Sequence, residues 1–123
     1  QIIDVLVVQK EIADKRPEDV ANIIRGWERT LAAWRARPAE LEAVMAKATN
    51  RTPDALRSDL AGMVLLDLAN NTELFAPGAS SQSVWSSFAA TASFMDRHRL
   101  LKHAAPDARE FLEPRFIAQA NAK

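Results

Sequence analysis

Two histidines, three tryptophans and a cluster of serines are the residues of this chain best suited by type to chemistry. His98 and His103 could ligate a metal or carry protons. They lie five positions apart, however, and not at the four-residue spacing that presents two imidazoles to one ion from a helix face. No Glu-x-x-His pattern or third ligand accompanies them, so they read as solvated basic residues at a helix end, and no metal is expected. Ser80, Ser81, Ser83, Ser86 and Ser87 contain no Gly-x-Ser-x-Gly elbow; helix capping explains them. The adjacent acids Glu18 and Asp19 follow Pro17, which assigns them to a helix start rather than to acid–base work. Glycine occurs only 3 times and no phosphate-cradling loop is present. No catalytic residue and no cofactor are expected, and the chain is read as not an enzyme.

Two residues remain as ligand-binding candidates. Trp85 follows the one long loop and can stack on a solute. Trp27 and Trp34, seven apart and flanking Leu31, are read instead as core. Asp4 interrupts an otherwise apolar run, which is costly if the carboxylate is buried unpaired. It therefore reads as ending a crossing made by this run, or as pairing with a cation in a part of the protein outside this sequence.

Composition narrows the classes further. The chain has 123 residues, 48% hydrophobic and 26% charged, which fits one globular domain or a piece of one. Lys+Arg and Asp+Glu are both 16, so there is no surplus of cations to support nucleic-acid binding. Cys 0 removes thiolate chemistry, Cys-type zinc sites and disulfides. No apolar run spans a bilayer and no signal peptide opens the sequence. The first residue is Gln1, which suggests a processed or excised chain.

The elements that must position these residues are mostly helices. Ile2, Ile3, Val5, Leu6, Val7 and Val8 are branched and apolar on both alternating faces, and predict a buried strand over 2–8. Glu11 to Lys15 forms a helical turn. Pro17 opens a helix to about Arg37, with Val20, Ile23, Ile24, Trp27, Leu31 and Trp34 inward. Pro38 opens a second, closed by Asn50 and Arg51. Thr52-Pro53-Asp54 starts a third, which runs through Gly62 with Leu56, Leu60, Met63, Val64 and Leu65 or Leu66 inward, and ends at Asn70-Asn71. A loop follows over 72–83 with a Pro77-Gly78 turn. A fourth helix, capped by Ser80, Ser81 or Ser83, buries Val84, Trp85, Phe88, Ala92 and Met95. A short fifth helix runs from Pro106-Asp107 to Leu112; Arg115-Phe116-Ile117 docks the tail, and 118–123 frays. The expected fold is therefore mostly α with one N-terminal strand. A lone strand leaves its amides and carbonyls unpaired, so its partner must come from a missing part of the protein, a second copy, or another subunit.

The order of elements resembles the carboxyl-terminal part of periplasmic substrate-binding proteins of ABC importers, of the nitrate/sulfonate/taurine type. The stretches that carry the resemblance are IIDVLVVQKEIADKRPEDVANIIRGWERTLAAWRARPAELEAVMAKA, TPDALRSDLAGMVLLDLANNTELF, SVWSSFAATASFMDRHRLLK and EPRFI, which together span nearly the whole chain. The resemblance implies a two-lobe α/β fold (type II), with residues 1–123 as a single partial domain. Strand 2–8 would be a return crossing, and four to five helices would complete the first lobe. It implies a periplasmic location, a small-molecule solute and importer membrane subunits as partners. The amino-terminal half, second lobe and export signal would lie outside this sequence, so this chain would not bind solute alone. A wider resemblance reaches pyrimidine-synthesising proteins, whose cysteine-rich motif is absent here. The alternative is a helical interaction module that dimerises through strand 2–8.

Overall fold

In the computed structural model, residues 4–76 and 83–122 are described. They form seven α-helices and one short 3-10 turn: α1 (Lys10–Lys15), α2 (Pro17–Ala36), α3 (Pro38–Ala48), α4 (Pro53–Leu60), α5 (Leu68–Leu74), α6 (Val84–Arg97), the 3-10 turn (Ala108–Glu110) and α7 (Arg115–Asn121). No strand occurs among the described residues. The expected strand and the two-lobe α/β architecture are thus corrected to an all-α chain. A strand exists only as half of a ladder, and no other described segment pairs with residues 4–8 as a strand. That segment is irregular, with Val5 and Leu6 59% and Val7 83% exposed. Ile2 and Ile3 lie outside the described residues, as do the Pro77-Gly78 turn and the caps Ser80 and Ser81.

Proline sets the first half of the molecule. Pro17, Pro38 and Pro53 each occupy the first turn of a helix, where the missing N–H costs nothing. Arg16 and Arg37, each immediately before a proline, are held out of the helical region and separate α1 from α2 and α2 from α3. Helix α3 ends in a Schellman motif: Asn50, at φ 54°, lets its own N–H reach the Lys47 carbonyl and the Arg51 N–H reach that of Ala46 (2.8 Å). Thr52 then caps α4, its Oγ1 accepting from the Ala55 N–H at 3.2 Å.

The expected long third helix is two helices. α4 stops at Leu60, and Gly62 sits in the turn that follows, with open space where a Cβ would stand, not in a tight helix contact. Met63 and Val64 are exposed, while Leu56 alone of the expected stripe is fully buried. A new helix begins at Asp67, where Asp67 and Asn70 form a reciprocal capping box. Asn70 and Asn71 therefore start α5 instead of ending α4. The expected fifth helix shrinks to the 3-10 turn at Ala108–Glu110.

The tail carries the core. α7 makes the most extensive contact of the fold, with α2. Phe116, Ile117 and Ala120 of α7 are buried, as are Val20 and Ala21 of α2. Two arginines lock the arrangement through orphan carbonyls at helix ends. Arg25 donates to the Gln119 carbonyl of α7 (3.2 Å) and pairs with Glu18 (2.5 Å). Arg115 donates to the Ala13 carbonyl of α1 (3.2 Å), pairs with Asp14 (3.3 Å) and lies 4.7 Å over the Phe116 ring. The expected fraying of 118–123 is overturned for the described residues up to 121. Docking of Phe116 and Ile117 stands as expected.

Candidate functional site

The two candidate ligand residues lie on different parts of the fold. Asp4 is exposed in the irregular amino-terminal segment. Trp85 is half-buried at the start of α6, and its indole N–H donates to the Phe75 carbonyl at 2.9 Å. This bond ties the end of α5 to the start of α6, so the polar atom of Trp85 is already used. Ser83 is 3% exposed; its Oγ accepts from the Ser86 N–H at 3.2 Å and caps α6. Glu18 and Asp19 are held by Arg25 and Arg16, consistent with their place at the start of α2. His98 and His103 are exposed, and the His98 ring lies 4.3 Å from that of Phe94. No group of three potential metal ligands exists among the described residues.

A convergence of polar side chains lies along α2, where it meets the segment joining α4 to α5. Trp27, Glu28 and Arg35 there reach three successive residues: Leu66 and Asp67 of the connector and Leu68, the first residue of α5. The Trp27 indole donates to the Leu66 carbonyl at 2.8 Å. Glu28 Oε2 accepts from the Leu68 N–H at 2.8 Å. Arg35 pairs with Asp67 at 2.9 Å. Asp67 also accepts the Asn70 N–H, and that backbone bond, followed by Arg35, holds its carboxyl below the ordinary value of 3.8. Asn71 adds a second donor to the Leu66 carbonyl at 3.3 Å. The cluster resembles a binding site in composition, yet each named group has an internal partner. It straps the 61–67 connector to α2 rather than facing outward toward a solute. Trp27 remains 43% exposed, so the inward placement expected for it is corrected: its ring covers the connector.

One concave feature stands apart from this strap. A groove of about 310 Å³ runs between α5 and α7, lined by Thr72, Phe75, Ala76, Pro114, Ile117 and Ala118, with Asn121 at its edge. Asn121 donates across it to Thr72 Oγ1 at 3.1 Å. The lining is apolar, with only those two side chains to orient a ligand, and they bond to each other. Sequence reasoning misses the groove because it does not foresee α7 as a helix. The Pro114-Arg115 start of α7 is its one available signal.

No family model matches the chain, and no curated protein or solved structure matches it.

Proposed function

We propose that this chain is the carboxyl-terminal part of the solute-binding component of an ABC importer, of the nitrate/sulfonate/taurine type, and that it works only when joined to the rest of that protein. It performs no chemistry of its own. The observation that carries this reading is surface. The chain exposes 9340 Å². A self-contained protein of 13.6 kDa exposes about 6,600 Å². The surplus, roughly 2,700 Å², includes the apolar side chains of Val5, Leu6 and Val7. A standard interface removes only about 800 Å² from each partner. We read this surplus as that of a domain lacking its complement.

A second reading, self-association through the segment at 4–8, draws on the same exposed valines. An ordinary dimer would leave about 1,900 Å² of the surplus uncovered, so the larger complement is favoured.

The test joins this chain to the polypeptide encoded upstream of it and titrates nitrate, taurine and small alkanesulfonates by calorimetry. Saturable binding by the joined protein and none by the chain alone supports the proposal. Binding by the chain alone, or an upstream sequence without a further domain, refutes it. A stable dimer in light scattering, with no binding in either form, favours the second reading.

A further inference from the structure

The cations of this chain are unevenly satisfied. Ten of the described lysines and arginines sit in ion pairs. Arg97, Arg99 and Lys102, together with His98 and His103, are grouped at the carboxyl end of α6, and none of them has a carboxylate partner among the described residues. Large apolar side chains are exposed at the same place: Phe94 is 51% and Leu100 60% accessible. Arg97 and His98 lie three and four residues after Phe94 and so share its face, and the His98 ring packs on Phe94. At Arg99 the backbone turns into the left-handed region (φ 55°), so Leu100 and Lys102 follow directly beyond the helix end. The opposing charges nearby are Asp96 on α6 itself and Glu110 on the 3-10 turn packed against α6. Asp107 is occupied by Arg109.

The geometry points to this end of α6 as a surface that docks on an anionic lipid bilayer. Unpaired cations supply attraction to lipid phosphates, and Phe94 and Leu100 supply apolar groups for the headgroup boundary. The face is a helix end with apolar and cationic groups interleaved, a pattern that suits a lipid headgroup layer better than an acidic peptide. This contact is peripheral, since no helix among the described residues is long and apolar enough to cross a membrane. It does not depend on the solute-binding reading.

The test is co-sedimentation of the chain with vesicles of phosphatidylcholine alone and of phosphatidylcholine containing one-third phosphatidylglycerol, at low and high salt. Binding is expected only to the anionic vesicles and is expected to weaken with salt. Replacing Arg97, Arg99 and Lys102 together by Gln should lower the partition coefficient roughly a hundredfold, at about fivefold per cation. The pair R97K and R99K should retain binding, which separates charge from loss of fold. Phe94→Ser should lower the salt-resistant part several-fold. Equal binding to neutral vesicles, no binding to anionic ones, an unaffected triple variant, or binding to soluble polyglutamate without binding to vesicles would each overturn the proposal.

Discussion

Replacing Phe116 by Ala tests whether the carboxyl-terminal helix is the keystone of the fold. Phe116 is 5% exposed on α7, the helix that packs most extensively on α2. Burying a phenylalanine removes about 150–250 Å² from water. At about 25 cal/mol per Å², its burial is worth about 4–6 kcal/mol, an upper bound because unfolded chains already hide part of that surface. Truncation in a core costs about 3–5 kcal/mol. α7 has only seven residues and lies at the edge of a small core, so partial collapse around the cavity brings the expected loss to about 3 kcal/mol. Loss of the Arg115 stacking contact falls within that figure. Urea unfolding followed by tryptophan fluorescence reads it directly. With a slope of about 2 kcal/mol per M, the midpoint should fall by about 1.5 M. Phe94→Ala, at a half-exposed site on α6, is the control and should cost less than about 0.5 kcal/mol. Equal midpoints for the two variants would mean that α7 is not docked on α2, and a core centred on Phe116 would have to be rejected.

Three further outcomes follow from local geometry. Gly26 lies inside α2 with open space where a Cβ would stand, so Gly26→Ala should raise stability by about 0.5–1 kcal/mol in the same assay. Arg99 occupies the left-handed position of the Schellman motif that closes α6, with the Leu100 N–H bonded to the Met95 carbonyl at 2.9 Å; Arg99→Gly should gain up to about 1 kcal/mol, and a loss would show that the cap is not formed. The Arg109 guanidinium, with the Arg109 N–H, lowers the Asp107 carboxyl from 3.8 to about 2. A carboxylate depressed in the folded state contributes stability above its unfolded value, so this contribution is complete above about pH 4 and fades as pH falls from there through about 2. A carbon-detected titration should place the Asp107 midpoint near 2 and, after Arg109→Ala, closer to 3.8.

How much of this fold is legible in the residues depends on whether the signal is local. Pro17, Pro38 and Pro53 mark three helix starts to the residue, because proline and its predecessor act through their own backbones. Thr52 and Ser83 are legible as caps for the same reason. The split between α4 and α5 is hidden because the run Met63 to Leu66 continues a helical apolar period. The competing signal, Asp67 with Asn70 three residues on, is an unconventional capping box in which Asn replaces the usual Glu or Gln. α7 is easily underestimated because seven residues have little intrinsic helicity; the helix exists by burying Phe116, Ile117 and Ala120. The candidate ligand residues are legible only by type. Asp4 and Trp85 stand out by residue type, whereas the partner of the Trp85 indole, the Phe75 carbonyl, is a tertiary fact.

The amino-terminal segment shows the same distinction at the scale of the whole chain. Val5, Leu6, Val7 and Val8 have the composition of buried backbone, and yet Val7 is 83% exposed. Secondary structure of the extended kind belongs to a pair of segments, so composition can state a need for a partner without supplying one. Helices satisfy their own backbone, and here the helices form while their apolar faces remain partly uncovered: Ile23 and Val44 are more than half exposed, as is Met63 in the connector after α4. The exposed apolar residues thus recur along the chain, from the irregular segment through α2, α3 and the connector after α4, because a helix forms on its own backbone bonds whether or not its apolar face finds cover.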